Sequence, residues 1–111
     1  IIGDNCSFQT GAYIPTGSRI GNRVFLGPNA SLTNDKTPLR TEYRLEGVDL
    51  EDDVTVGSNA TLMPGITVGE GAFIAGGAVV TKDVPAWHMA KGSPATFEEL
   101  PESLKKPNRL G

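Results

Sequence analysis

The stretch 50–85, LEDDVTVGSNATLMPGITVGEGAFIAGGAVVTKDVP, repeats every six residues. The first position of each hexapeptide is aliphatic, and the fifth is small or β-branched. The first positions are Leu50, Val56, Leu62, Val68, Ile74 and Val80, and the fifth positions are Val54, Ala60, Ile66, Ala72, Ala78 and Val84. A period of six matches neither the 3.6 of a helix nor the 2 of a free strand. It predicts a chain that turns at regular corners and stacks, three faces to a coil, into a triangular prism.

The same period covers residues 1–32. The first positions there are Ile2, Phe8, Ile14, Ile20, Leu26 and Leu32, and the fifth positions include Cys6, Ala12, Ser18, Val24 and Ala30. Asn, Gly and Asp recur between these positions, and they suit corners that need tight turns or left-handed backbone. The chain begins at Ile1, inside the repeat, and we therefore expect a segment upstream of it.

Between Leu32 and Leu50 the repeat is interrupted. Residues 33–49, TNDKTPLRTEYRLEGVD, have no apolar ladder and carry seven charged residues. We predict that this segment is a loop ejected from one corner of the prism. Long loops are usually functional or disordered, and solenoids keep insertions on one face, which is often the binding face. A tolerated surface excursion is the alternative.

After Pro85 the repeat fades. Residues 86–90 are predicted to form a last, irregular rung, and Gly92-Ser93-Pro94-Ala95 is a turn signal. Residues 97–106 are predicted to form a short capping helix, because acidic residues come early in it and lysines late. Pro107 would end that helix. The predicted domains are a repeat domain, 1–96, with its loop 33–49, and a C-terminal cap or tail, 97–111.

Composition narrows the classes of function. The net charge is −3 and the pI about 5.0, which argues against binding to nucleic acid or to anionic membranes. No apolar run reaches the length of a membrane span, and no signal peptide is visible. The single cysteine, Cys6, cannot form a disulfide within the chain. This favours a reducing compartment, and we expect a cytoplasmic protein.

The repeat, the ejected loop, the run Gly76-Gly77-Ala78-Val79-Val80-Thr81-Lys82-Asp83-Val84-Pro85 and the closing Gly92-Ser93-Pro94-Ala95 resemble the hexapeptide-repeat acyltransferases. The resemblance implies an all-β fold, a left-handed parallel β-helix with one ejected loop and a short C-terminal helix. It further implies a homotrimer that uses acetyl-CoA as acyl donor, with its active site between neighbouring prisms. The segment 33–40, TNDKTPLR, is similar to sugar N-acyltransferases that modify amino groups of nucleotide-linked sugars, although Leu39 separates Pro38 from Arg40.

The resemblance also suggests site residues. The catalytic candidates are Asn34 and Asp35, the candidates for substrate binding are Arg40, Tyr43 and Arg44, and the candidates for CoA binding are Ser58, Gly76, Thr81 and Lys82. The alternatives are a turn pair at 34–35 and solvated loop charges. Relatives often carry a cation directly after Gly-x-Pro-Ala to hold the 3′-phosphate of CoA. Here that residue is Thr96, and Lys91 is the possible substitute.

The loop lacks the histidine that precedes its proline in maltose and galactoside acetyltransferases; Thr37 occupies that position. A hydroxyl acceptor needs a base as it attacks, whereas a neutral amine is already nucleophilic. The sequence therefore favours N-acetylation. His88, the sole histidine, cannot by itself build the three-histidine zinc site of carbonic anhydrases on this fold. A sugar O-acetyltransferase and a non-catalytic trimeric scaffold are the competing interpretations.

Overall fold

The computed structural model describes residues 1–40 and 44–109. Short parallel strands stack into three flat sheets around one apolar interior, which is the predicted left-handed parallel β-helix. Ser7 pairs with Phe25, and Thr55 pairs with Phe73. Both pairs are 18 positions apart, so each coil consists of three hexapeptides.

The described residues form twelve strands on three faces. Face A consists of Arg19–Ile20 (β2), Asp49–Leu50 (β5) and Thr67–Val68 (β8). Face B consists of Ser7–Phe8 (β1), Phe25–Leu26 (β3), Thr55–Val56 (β6), Phe73–Ile74 (β9), His88–Gly92 (β11) and Ala95–Glu99 (β12). Face C consists of Ser31–Leu32 (β4), Thr61–Leu62 (β7) and Val79–Val80 (β10).

Three edges join these faces. Edge AB contains residues 3–6, 21–24, 51–54, 69–72 and 85–87. Edge BC contains residues 9–12, 27–30, 57–60 and 75–78. Edge CA contains residues 15–18, 33–48, 63–66 and 81–83.

The ejected loop leaves edge CA in the second coil. Ser31 pairs with Thr61 across it at a separation of 30 positions instead of 18, so the insertion adds 12 residues. The coil resumes slightly before the predicted point, because Val48 is fully buried and Asp49 begins β5. Val48 lies six residues before Val54 and takes the fifth position of its hexapeptide.

Both inward rows fill the interior. The first positions from Ile20 to Val80 are at most 3% exposed, and the fifth positions from Val24 to Ala78 are at most 5% exposed. Each buried Val, Leu or Ile stabilises the fold by roughly 1.5–3 kcal/mol relative to an exposed side chain. Ile2 and Phe8, which were predicted to point inward, are 51% and 38% exposed. They lie on the first coil, where a neighbouring coil covers only one side.

Left-handed backbone recurs at the third residue of the corners, as the Asn, Gly and Asp pattern predicted. These residues are Asn5, Gly11, Gly17, Arg23, Asn29, Asp53, Asn59, Gly65, Gly71, Gly77 and Trp87. Asn and Gly adopt this conformation at little cost. Arg23 and Trp87 do not favour it, and the sequence pattern did not identify them.

The last corner of edge CA is two residues short. Val84 bridges Val68 at a separation of 16 positions, so it occupies a strand position and not the predicted fifth position. Its side chain is nevertheless buried, at 3% exposure. Oδ1 of Asp83 accepts a hydrogen bond from the Thr67 N–H at 2.8 Å and closes this tight corner.

The irregular last rung is confirmed, but the predicted C-terminal helix is wrong over most of its length. β11 pairs in parallel with β9, and the turn at 92–95 reverses the chain into β12, which is antiparallel to β11. β12 therefore crosses the predicted domain boundary at 96/97. Phe97 pairs with Ala90 and packs against the core, which favours a strand that covers the otherwise open sheet edge. The helical part is a single 3₁₀ turn, Glu102–Leu104.

Asn108 ties the C-terminal segment to edge AB and face B. Its Nδ2 donates to the carbonyls of Arg23 and Val54 at 2.9 and 3.2 Å, and its Oδ1 accepts from the Thr55 hydroxyl at 3.1 Å. Its N–H donates to Oδ1 of Asp53 at 3.0 Å. All the hydrogen-bonding groups of this side chain are thus engaged, which fixes the end of the described chain across the repeat.

Asp53 also forms a bidentate ion pair with Arg23 of the preceding coil. The Nε–Oδ1 and Nη2–Oδ2 distances are 2.8 and 3.0 Å, and the Asp53 side chain is 2% exposed. The hydrogen bond from Arg23 holds the pKa of Asp53 below its ordinary value; burial opposes this shift, and the Asn108 N–H adds to it. The pair links two coils and the C-terminal segment.

Candidate functional site

The base of the loop is fixed between the coils above and below it. The N–H and the hydroxyl of Thr33 both donate to the Leu62 carbonyl of the next coil, at 3.1 and 2.8 Å. Nδ2 of Asn34 donates to the Thr16 carbonyl of the preceding coil at 2.9 Å. On the returning side, the Glu46 N–H donates to the Asn34 carbonyl at 3.0 Å. The outgoing and returning segments of the loop are therefore hydrogen-bonded to each other at Asn34.

The two catalytic candidates make the hydrogen bonds of a turn. Asn34 uses one amide N–H for Thr16, so the atom suited to receive an amine or hydroxyl proton is its Oδ1. Oδ1 of Asp35 accepts from the Thr37 N–H at 3.1 Å, an Asx turn. Both side chains are half-buried at the base of the loop. The alternative of a turn pair thus describes their local bonds, and their chemical roles stay predictions.

Two of the three residues predicted to bind substrate, Arg40 and Arg44, belong to the outer part of the loop. Arg40 is exposed, and its N–H donates to the Thr37 carbonyl at 3.1 Å. Arg44 is 88% exposed, and its Nε lies 3.9 Å from Oε1 of Glu46, a long and solvated pair. Tyr43 lies outside the described residues. The two arginines are accessible to an anionic ligand.

Two of the four CoA candidates lie on the same edge as the loop. Thr81 and Lys82 form the shortened corner of edge CA, and both are exposed. The Met63 N–H donates to the Val80 carbonyl, as the Thr33 N–H does to Leu62, so these corners stack directly. Thr81 therefore lies two coils above Thr33, at about 10 Å along the prism axis.

The other two CoA candidates lie on edge BC. The Gly77 N–H donates to the Ser58 carbonyl at 2.9 Å, which places Ser58 and Gly76 in consecutive coils. Both are exposed. A Cβ at Gly76 would lie 3.3 Å from the Ser58 carbonyl oxygen, so a larger residue would crowd this corner. Within one protomer, the predicted CoA residues are thus divided between two edges, with face C between them.

The β11–β12 hairpin extends the upper end of edge BC. The Ala75 N–H donates to the Ala90 carbonyl, so Lys91 follows directly above the corner of Gly76. Lys91 Nζ lies 2.8 Å from Oε1 of Glu98, and Lys91 pairs across the hairpin with Thr96. The proposed substitute for the missing cation is therefore already paired with a carboxylate.

Two other features carry no predicted site residue. His88 lies on β11, where its Nδ1 is 2.9 Å from the Ala86 carbonyl oxygen, on a different part of the prism from the loop. A surface cavity of about 360 Å³ lies beside Arg19 and Asp49. Two of its carboxylates serve the fold, since Asp52 and Glu51 accept from backbone N–H groups at 2.8 and 3.1 Å. Among residues 1–40 and 44–109, no group of three or more potential ligands is arranged to hold a metal.

The residues that close the loop onto the coil were not among the predicted site residues. Thr33 was not a candidate, although it directly follows the last apolar position before the interruption. Gly47 was also overlooked: a Cβ there would lie 2.1 Å from the Gly17 carbonyl oxygen, so only glycine fits where the loop rejoins the prism. The available signal was position, since both residues flank the break in the repeat.

Residues 47–82 match the family model described as bacterial transferase hexapeptide (six repeats). A Schizosaccharomyces pombe protein, named provisionally as an acetyltransferase, is 42% identical over 97 residues, which are 82% of this chain and 45% of that protein. The 2,3,4,5-tetrahydropyridine-2,6-dicarboxylate N-acetyltransferase of Staphylococcus aureus is 36% identical over 99 residues, which are 79% of this chain and 40% of that enzyme. The chain thus spans about half the length, or less, of these relatives.

Solved structures show the same architecture. A maltose O-acetyltransferase from Clostridium difficile has a TM-score of 0.81 and 28% identity, covering 91% of this chain and 58% of that one. A GDP-perosamine N-acetyltransferase from Caulobacter crescentus, in complex with CoA and GDP-perosamine, has a TM-score of 0.72 and 28% identity. The match covers 87% of this chain and 40% of that one. The described part of this chain contains no helix of the length and apolarity needed to cross a membrane.

Proposed function

We propose that this hexapeptide-repeat chain is the catalytic part of an acetyl-CoA-dependent transferase that acetylates the amino group of a nucleotide-linked amino sugar. The observation that carries the proposal is the arrangement of edge CA. An anchored polar loop, with Asn34 at its base, lies two coils below the exposed Thr81–Lys82 corner. An acceptor held by the loop and a donor held along the edge would meet there.

The donor is proposed to be acetyl-CoA. Exposed backbone at Gly76 and Ser58 can bond the amides of pantetheine, and Lys82 can pair with a phosphate. The caulobacterial relative in fold holds CoA in its crystal structure. Edges BC and CA of one protomer are separated by face C, but edges of two protomers can meet in a symmetric assembly. We therefore propose a homotrimer whose sites lie between protomers.

The acceptor is proposed to be an amine. Its neutral nitrogen attacks the thioester carbonyl, the carbon–sulfur bond breaks, and the CoA thiolate leaves. The proton of the nitrogen passes to the thiolate or to water, so products are an amide and free CoA. The sequence 33–49 contains no histidine to serve as base for a hydroxyl. Close positioning of amine and thioester supplies the larger part of the acceleration.

The charges of the loop support an anionic acceptor. Arg40 and Arg44 are exposed and can donate charge-assisted hydrogen bonds to a diphosphate. Two of the similar proteins are N-acetyltransferases named for acceptors with negative groups, a dicarboxylate and a GDP-linked sugar. A nucleotide-linked amino sugar fits this charge and also the resemblance of the segment 33–40. Tyr43 remains our candidate for stacking on the base or sugar, and the cytoplasm our proposed location.

The second candidate is O-acetylation of a sugar. It is favoured by the likeness to the maltose O-acetyltransferase, whose fold covers 91% of this chain. This activity would require a base from outside the sequence 33–49. A non-catalytic scaffold is the third possibility, and the experiment below separates all three.

The test is thiol release from acetyl-CoA with matched acceptors. One acceptor is a nucleotide-linked amino sugar, and its control is the same nucleotide sugar with a hydroxyl in place of the amine. We expect release with the amine alone. Release with the hydroxyl compound or with maltose would support O-acetylation. Absence of release together with absence of CoA binding in calorimetry would leave a scaffold.

A further inference from the structure

We infer that Thr33 is a positioning residue for acyl transfer: its hydroxyl holds the base of the loop against the next coil and thereby fixes where Asn34 stands. The catalytic consequence rests on the proposed function, whereas the hydrogen bonds belong to the fold. Thr33 itself does not contact the reacting atoms in this proposal. It acts through the position of Asn34.

The bond made by the Thr33 hydroxyl is additional to the regular pattern of the prism. At the corresponding corner one coil higher, the Val80 carbonyl accepts the Met63 N–H at 3.0 Å. The Leu62 carbonyl accepts the Thr33 N–H in the same way, and it also accepts the Thr33 hydroxyl at 2.8 Å. A carbonyl oxygen has two lone pairs and can accept both. The extra bond thus occurs at the point where the chain leaves the coil.

A second contact holds the loop from the opposite side. Asn34 donates through its side chain to Thr16 in the coil below, at 2.9 Å, and its carbonyl receives the Glu46 N–H at 3.0 Å. The loop base is therefore attached to the coil above by Thr33 and to the coil below by Asn34. Loss of the hydroxyl leaves only the longer N–H bond to Leu62, at 3.1 Å, on the upper side. The base should then tilt more readily, and the Asn34 amide would move with it.

The rest of the described loop has little contact with the prism. Residues 36–40 and 44–46 are exposed, and Leu39 at its tip is fully exposed, with a φ of 62°. Two hydrogen bonds of this part run within the loop, from the Thr37 N–H to Asp35 and from the Arg40 N–H to the Thr37 carbonyl. A loop with so few buried contacts depends on its base for its orientation.

The experiment compares Thr33→Val with Thr33→Ser and with the control Thr55→Val. Valine keeps the shape of threonine and removes the hydroxyl, and serine restores the hydroxyl. Thr55→Val removes an equivalent hydroxyl bond, the 3.1 Å contact with Asn108, far from the loop on face B. Thr33→Ala removes the same hydroxyl with less bulk and should behave as Thr33→Val does.

Two readouts are measured on the assembled protein. The first is the rate of tryptic cleavage after Lys36 and Arg44, both exposed in the loop. The second is steady-state kinetics with the amino-sugar nucleotide. For Thr33→Val we expect about fivefold faster cleavage and about fivefold lower kcat/KM for the acceptor, the effect of one lost hydrogen bond. The KM for acetyl-CoA should stay within about twofold of the wild-type value.

The following results would support or overturn the inference about Thr33. Wild-type cleavage in Thr33→Val and Thr33→Ala, or failure of serine to restore it, overturns the role of the hydroxyl. Faster cleavage with unchanged acceptor kcat/KM overturns the positioning role. Faster cleavage in a protein whose wild-type form acetylates no acceptor supports the anchored base and removes the proposed function instead. Equal effects in Thr55→Val would show that the change is general and would also overturn the inference.

Discussion

Asp53 is the residue on which two coils and the C-terminal segment converge. Its carboxylate accepts from Arg23 and from the Asn108 N–H while only 2% of the side chain is exposed. Asp53→Asn removes the negative charge and puts an amide N–H in place of one carboxylate oxygen, so the bidentate pair with Arg23, whose side chain is 35% exposed, is lost. We expect the melting temperature to fall by about 5 °C. Thermal unfolding followed by circular dichroism measures this.

The neighbouring Asp52 provides the control. Its Oδ1 accepts one backbone N–H, from Asn22, at 2.8 Å, and asparagine can accept the same bond. Asp52→Asn should therefore change the melting temperature little. Equal losses in the two variants would show that the effect comes from net charge and not from the bidentate pair.

The Asp53 carboxylate also makes the free energy of unfolding depend on pH. Because the hydrogen bond from Arg23 lowers the pKa of Asp53 in the folded state, the unfolded chain binds the proton more readily. The stabilisation is complete above the unfolded value of about 3.9 and is lost as pH falls through the folded value. The difference in free energy of unfolding between wild type and Asp53→Asn should shrink between about pH 5 and pH 2. Urea titrations over this range test it, and a constant difference would contradict it.

At the scale of the elements, the repeat was readable because each face of each coil needs one inward aliphatic residue, as Leu50, Val56 and Leu62 supply on faces A, B and C. The errors came where the chain leaves that rule. The early glutamates and late lysines of 97–106 favoured a helix by charge alone, whereas packing of Phe97 against the core at the open sheet edge favours a strand. The shift of Val84 to a strand position could not be predicted either, because its corner is two residues short while the apolar pattern of the sequence is unaffected.

The loop shows why its location was predictable and its attachment was not. A break in the repeat between Leu32 and Leu50 marks an insertion whatever its conformation. The partners of its base contribute backbone carbonyls: Thr16 lies 18 positions from Asn34, and Leu62 lies 29 positions from Thr33. Such acceptors have no sequence signature, since every residue has one.

The ion pair on the β11–β12 hairpin should affect the affinity for CoA. Glu98 pairs with Lys91 at 2.8 Å, and both side chains are about half exposed. Glu98→Gln removes the competing carboxylate and frees Lys91 for a phosphate of the donor. We expect CoA to bind about threefold more tightly, within the range of a surface ion pair. Calorimetry measures it, with dephospho-CoA as the matched ligand.

Dephospho-CoA lacks the 3′-phosphate, so its affinity should be equal in wild type and Glu98→Gln. Equal gains for both ligands would place Lys91 away from that phosphate. Unchanged affinity for CoA would mean that Lys91 is not part of the donor site at all, and that Lys82 is the remaining candidate among those suggested by the sequence.

At the scale of the whole molecule, the decisive feature is the division of the predicted site between edges BC and CA. If the donor contacts Gly76 on one protomer and Asn34 acts from another, each active site requires an unmutated edge BC from one protomer and an unmutated edge CA from its neighbour. Two inactive variants should then restore activity when mixed. Gly76→Leu fills the donor corner, where even a Cβ would lie 3.3 Å from the Ser58 carbonyl oxygen. Asn34→Ala disables the loop.

Random trimers from an equal mixture should recover about a quarter of the wild-type activity, because one interface in four combines the sound edge BC of Asn34→Ala with the sound edge CA of Gly76→Leu. The variants are mixed under conditions that let protomers exchange, and sedimentation checks that the mass is about 35 kDa, three times 11.7 kDa. A site built within one protomer would give no recovery, since every protomer in the mixture carries one defective edge. That result, with the trimer intact, would place donor and acceptor across face C of the same chain.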